Sequence, residues 1–183
     1  MSVRQSLLAI LDRGACYGSQ LRAEYERRTG ATVNVGQVYT TLERLERDGL
    51  VEGAGVDDEA RVLWRPTAAG RAEARAWLAS ASLAEGRDDV ALKIALAVTL
   101  PGADVAAVVS AQRVAVRAAL QATEAGGVGG DAVPAAIVRA ARRARLEADL
   151  RWLDEVERLA ATVEPFGLSD ERPRRGRPAR STV

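Results

Sequence analysis

The apolar positions of this chain form helical stripes at first, then two short alternating runs between residues 51 and 65, then long helical stripes from residue 88 onward. Val38, Leu42 and Leu45 stand at i, i+4 and i+7 and therefore share one buried helix face. Gln37, Thr40, Thr41 and Arg44 are left on the other side, all able to donate to or accept from base edges and phosphates. Gly49 supplies a left-handed stop, and Leu50-Val51 turn the chain into a strand. Upstream, Leu7, Ile10 and Leu11 make a short stripe, and Tyr17-Gly18-Ser19-Gln20-Leu21 opens a second helix carrying Leu21 and Tyr25. Gly30, Thr32 and Asn34 form the connector into the third.

Downstream, Val51 to Ala54 and Arg61 to Arg65 read as the strands of a hairpin around Val56-Asp57-Asp58-Glu59. Alternation sends Val62 and Trp64 toward the domain and Arg61, Leu63 and Arg65 outward, where the two arginines can reach phosphate. Pro66-Thr67-Ala68-Ala69-Gly70 leads into a fourth helix. The expected fold is mostly α with a β-hairpin wing: an amino-terminal winged helix-turn-helix over residues 1–80 and a carboxy-terminal long-helix dimerisation region over 87–164.

In that second region Asp88 or Asp89 can cap a helix holding Val90, Leu92, Ile94, Leu96, Val98 and Leu100, which Pro101-Gly102 interrupts. A further helix is expected from about Ala103 to Glu124, followed by a glycine-rich break over Ala125 to Asp131. The last helix is expected from about Ala132 to Val163. Ile137, Ala141, Ala144, Ala148, Trp152, Val156, Leu159 and Val163 keep one stripe there, while Leu146, Leu150 and Leu153 supply a second. Two stripes exceed what one partner needs, so Ile137, Ala141, Ala148, Trp152, Val156 and Leu159 are assigned to a homodimer interface. Trp152 also offers a flat apolar surface to an aromatic effector.

Taken in order, Tyr17-Gly18 with Leu21, then Gly36, Val38-Tyr39, Leu42, Arg44-Leu45-Glu46 and Gly49-Leu50-Val51, then Trp64-Arg65, Thr67 and Gly70 resemble the PadR family of bacterial transcriptional regulators. Asp88-Asp89-Val90 with Lys93 resembles the start of that family's carboxy-terminal region. The chain departs from the family pattern at Thr40 and Pro66. The resemblance implies a homodimeric repressor on a near-palindromic operator, with Tyr39 on the DNA backbone and Gln37, Thr40 and Arg44 at or near the groove. Together with Asn34, Thr41, Arg61 and Arg65 these make the expected DNA-binding set.

Charge qualifies this picture. The net charge is +1, and residues 1–80 hold eleven arginines against eleven acids, so attraction to DNA must come from how charge is arranged on one face and from dimerisation. That neutrality keeps open a rival function, a winged-helix adaptor for protein partners. The chain has no histidine, one cysteine and one methionine. Histidine acid/base chemistry and Ser-His-Asp triads are therefore excluded, Cys16 alone makes neither a disulfide nor a thiolate cluster, and no enzyme, cofactor or metal site is expected. The start of the sequence lacks a signal-peptide pattern, and no apolar run reaches the ~18 residues of a membrane span, so a cytoplasmic location is expected. From Ser169 to Val183 the chain carries five arginines and two acids and is expected to form a disordered basic tail from residue 165 onward. Within it Arg175-Gly176-Arg177-Pro178 resembles an AT-hook core, which would place Arg175 and Arg177 in a narrow minor groove with Gly176 between them.

Overall fold

The computed structural model describes residues 3–81, 87–125 and 133–170. Its elements follow the order α1 (Val3–Leu11), α2 (Gly18–Thr29), α3 (Val35–Arg47), β1 (Val51–Val56), β2 (Val62–Pro66), α4 (Ala68–Ala79), α5 (Arg87–Thr99), α6 (Val105–Ala125) and α7 (Val133–Ala160). The described residues are therefore mostly helical with an antiparallel hairpin, as the periodicity predicts.

Local chemistry sets the boundaries. Gly30, at φ 68°, ends α2 with its N–H on Glu26 O. Asn34 caps α3, its Oδ1 accepting from Gly36 N at 2.8 Å. Beyond α3, Gly49 at φ 71° lets Leu50 N return to Leu45 O. Thr67 then joins three elements: its Oγ1 accepts from Gly70 N at the start of α4 and donates to Gly49 O at the end of α3. Gly70 sits so close to the Leu50 carbonyl that a Cβ there would lie 2.0 Å from the oxygen.

Two cores result. The first joins α1 to α4 with the base of the hairpin: Leu7, Leu8, Ile10, Leu21, Tyr25, Val38, Leu42 and Leu45 are buried in it. The second lies between α5, α6 and α7 and holds Val90, Ile94, Val109, Val116, Leu146 and Leu153. Leu96 of α5 and Leu100 just beyond it belong to the first core. Helix α5 is thus shared: Ile94 faces the carboxy-terminal helices while Leu96 and Leu100 complete the winged helix.

Two further expectations are corrected. Residues 165–170, placed by composition in a loose tail, pack against α2, with Leu168 joining the first core and Ser169 N donating to Glu24 Oε1 at 2.8 Å. On α7, Leu146 and Leu153 are buried against α6 and Trp152 and Val156 pack beside them, so part of the assigned dimer stripe is used within the chain. The reason is that the stripe of Leu146, Leu150 and Leu153 on this 28-residue helix faces the second core, and only Trp152 and Val156 of the other stripe lie beside it. Ile137 is 63% exposed and Leu159 51% exposed, and Ala141 is exposed as well. The glycine-rich break beyond Ala125 and the arginine tail with Arg175, Gly176 and Arg177 lie outside the described residues.

Candidate nucleic-acid interface

Helix α3 is two-faced. Val38, Leu42 and Leu45 are fully buried, while Asn34, Gln37, Tyr39, Thr40 and Arg44 are exposed. Among the described residues no ion pair engages Arg44, whereas Arg47 one turn on reaches Asp48 at 3.4 Å. Thr41 is half-buried and donates its hydroxyl to Gln37 O at 2.6 Å, so it is less available to a groove than Thr40. Asn34 likewise spends its side-chain oxygen on the helix cap.

Tyr39 is 47% exposed and its ring lies across the amino-terminal turn of α2. A Cβ on Gly18 would meet Tyr39 Cζ at 2.7 Å and its hydroxyl oxygen at 3.0 Å. Only a glycine lets the ring rest there with its hydroxyl at the rim. Tyr39 thus rests its ring on α2 while remaining half exposed.

The wing forms, but not with the expected alternation. Glu52 pairs with Arg65 and Gly53 with Trp64, the register then shifts, and Val56 pairs with Val62. Gly55 at φ 93° marks the irregularity. Beyond it the hairpin projects past the domain, so Val62 is exposed rather than inward, and Leu63 is half-buried rather than outward. Trp64 does pack on the first core, held by paired backbone bonds to Cys16 at 3.1 and 2.9 Å. Arg61 folds back: its Nε donates to Asp57 Oδ2 at 2.6 Å, and its guanidinium lies 3.8 Å from the Tyr17 ring centroid. The bond from Arg61 is the main reason that the Asp57 carboxyl is held down to about 2. Arg65 remains more than half exposed while donating to Glu52 Oε1 at 2.8 Å across the strands. Gln37, Thr40 and Arg44 share one exposed face of α3 through their i, i+3 and i+7 spacing, Tyr39 stands exposed at its flank against α2, and Arg61 is engaged within the wing.

Cys16 is completely buried, and burial pushes its thiol up to about 12, with Glu24 adding to the effect and Arg28 opposing it. Trp152, the expected effector contact, is half-buried in the second core. A cavity of about 330 Å³ opens elsewhere, between α1, α4 and the α5–α6 turn, lined by Ala9, Asp12, Arg75, Leu78, Leu100 and Val108 among others. Asp12 is nearly buried at its edge and holds Arg13 at 2.9 Å and Arg71 at 3.1 Å. A third feature, a buried cluster around Glu24 and Arg28, has only one sequence signal, the i+3 and i+4 spacing of Arg27 and Arg28 from Glu24.

Three packed helices, the third with an exposed polar face beside a hairpin, define a winged helix-turn-helix domain. Residues 7–76 match the model of the transcriptional regulator PadR-like family. No curated protein matches the sequence. Among solved structures the chain is similar to Bacillus subtilis PadR in complex with operator DNA, with 15% identity over 87% of this chain and 99% of that one and a TM-score of 0.43. It is also similar to Bacillus subtilis PadR in complex with p-coumaric acid, with 15% identity, 87% and 98% coverage and a TM-score of 0.39. The PadR-like transcriptional regulator BC1756 from Bacillus cereus shows 16% identity, 86% and 98% coverage and a TM-score of 0.38. Among the described residues no helix is long and apolar enough to cross a membrane.

Proposed function

We propose that this protein is a sequence-specific DNA-binding regulator of transcription, a repressor that holds a near-palindromic operator as a homodimer. The observation that carries the reading is the division of α3, where three fully buried apolar residues anchor the helix, Gln37, Thr40 and Arg44 stand exposed on the opposite side, and Tyr39 is half exposed at the flank. Arg44 and Gln37 read base edges, Tyr39 and Thr40 hold the backbone, and Arg65 on the wing contacts an adjacent phosphate. Two copies pair through the exposed apolar positions of α7, including Ile137 and Leu159, which sets the two half-sites about a symmetry axis. A small apolar effector occupies the cavity between α1, α4 and the α5–α6 turn, where it changes how the reading unit sits on the carboxy-terminal helices.

The test is DNA binding by Arg44→Ala and Tyr39→Ala. Each is expected to weaken operator affinity by about 1–3 kcal/mol, roughly fivefold to 150-fold, while sedimentation shows an unchanged assembly. Unaltered affinity in both variants would remove this face from consideration. The balanced charge of residues 1–80 favours one second reading, a protein-binding adaptor. Salt separates the two, since several phosphate contacts require a steep negative slope of log K against log salt.

A further inference from the structure

After α7 the chain does not leave the molecule. Residues 161–170 return to α2 as a strap, and the link that brings them there is stiff. Turn bonds carry the end of α7 on to Val163, with Thr162 N on Leu159 O at 3.0 Å and Val163 N on Ala160 O at 3.2 Å, so only Glu164 and Pro165 separate the last turn from Phe166. The proline ring fixes its own φ and restricts the residue before it. Phe166, the only phenylalanine of the chain, then lies under the guanidinium of Arg27 at 4.1 Å and that of Arg28 at 4.7 Å, and its N–H donates to Thr99 O at 3.1 Å.

Arg28 ties three elements together. Its side chain has no exposed surface, and it donates from Nε to Glu24 Oε2 at 2.9 Å, from Nη1 to Thr99 O at 2.9 Å at the end of α5, and from Nη2 to Phe166 O at 3.2 Å and Gly167 O at 2.9 Å on the strap. A planar fork of donors can serve a carboxylate and carbonyls on separate elements at once, which a single ammonium cannot. Beyond Arg28 the strap continues along α2: Ser169 N donates to Glu24 Oε1 at 2.8 Å, and Leu168 joins the first core and comes up against Gly14, ahead of the helix. The reading unit is therefore held to the carboxy-terminal helices twice, forward through α5 and backward from the far end of α7. One connection leaves a hinge about which a domain turns, and a second that runs along α2 removes it.

We infer that Arg28 is a positioning residue for operator reading: by fastening the strap and the end of α5 to α2, it fixes the angle of each reading helix on the dimer and so sets the one half-site spacing that both copies can engage. The inference rests on the operator-reading function and the α7 pairing proposed above. The lever is long enough to matter. Helix α2 has 12 residues and is about 18 Å long, so a turn of about 10° at its strap end moves the other end, where the Tyr39 ring rests on Gly18, by roughly 3 Å. One base-pair step along DNA is about 3.4 Å. Two α3 helices must meet major grooves about 34–36 Å apart, and a reading unit free to swivel by that angle no longer distinguishes operators that differ by one step.

The experiment uses the full-length protein and a duplex enriched by it from a random-sequence pool, whose half-sites are then moved apart by two base pairs, a change of about 7 Å and roughly 70°. A second duplex carries one half-site alone. The unmodified protein is expected to lose at least about tenfold in affinity on the insertion, because both reading units no longer engage together. Phe166→Ala removes the ring from under both guanidiniums, and Arg28→Lys cannot hold Glu24, Thr99 and the two strap carbonyls from one nitrogen. Each is expected to lose less than about threefold on the insertion, with unchanged affinity for the single half-site and an unchanged dimer in sedimentation. Phe166 is only half-buried, so its variant carries the test where Arg28→Lys does not fold. An insertion penalty undiminished in either folded variant overturns the inference and leaves the operator reading intact. A loss of single-half-site affinity that accounts for the whole effect also overturns it, since damage to the reading unit and not its angle would then be at work. An unmodified protein that binds both spacings alike overturns it too. Failure of the unmodified protein to enrich any duplex overturns the operator reading as well.

Discussion

Two glycines divide structure from function at the scale of single residues. A methyl group on Gly70 would meet the Leu50 carbonyl oxygen at 2.0 Å, and neither backbone can yield without separating α4 from the end of α3. Gly70→Ala is expected to cost about 3 kcal/mol or more of stability, read as a lowered urea midpoint. A methyl on Gly18 meets only the Tyr39 ring, at 2.7 Å, and that ring is half exposed and free to swing outward. Gly18→Ala is therefore expected to leave the unfolding midpoint nearly unchanged and to weaken DNA binding toward the level of Tyr39→Ala. A Gly18→Ala protein that binds DNA normally would show that the placement of the ring is irrelevant to recognition. The distinction matters because glycines of both kinds belong to one sequence pattern, and sequence alone does not say which protects the fold and which positions a contact.

At the scale of elements, Asn34 carries a similar ambiguity. Its Oδ1 caps α3 at 2.8 Å from Gly36 N, so Asn34→Ala is expected to lose about 1 kcal/mol through the cap. Asn34→Asp keeps the cap and changes the groove-facing amide, and a melt beside a binding titration of both variants apportions the two roles. Helix α3 is legible in the sequence because its stripe, its cap and its glycine stop are all local. The wing is legible as a hairpin but not in its facing: the shift at Gly53 to Val56 breaks the alternation that sends Val62 inward, and the pairing of Arg61 with Asp57 depends on how the loop folds. On α7 the two stripes are legible, but which of them the chain itself covers depends on the placement of α6. The strap is not legible at all. The expectation of a loose tail from residue 165 onward rests on composition alone, and composition hides Phe166 and Leu168, whose partners on α2, at Thr99 and in the first core are distant in sequence.

At the scale of the whole molecule, the reading unit, the carboxy-terminal helices and the strap meet at Glu24 and Arg28, so this pair governs how the halves stay joined. Burial pushes the Glu24 carboxyl up, but the Ser169 N–H, Arg27 and Arg28 together outweigh it and hold the group below the usual carboxylate range. A folded-state value below the unfolded one means that ionised Glu24 stabilises the fold fully above the unfolded value, near 4.3. That contribution fades as pH falls through the folded value. Glu24→Gln leaves the buried Arg28 guanidinium without its counter-charge and is expected to cost about 3–5 kcal/mol near neutral pH. On acidification the wild-type protein should lose this advantage while the variant, with nothing to titrate at that position, should not, so the two unfolding free energies should converge below about pH 4. Urea unfolding of both proteins across the acidic range measures the gap directly. A gap that stays constant with pH would mean that the carboxylate charge of Glu24 does not hold the strap, α5 and α2 together, leaving packing of Phe166 and Leu168 as the force that joins them.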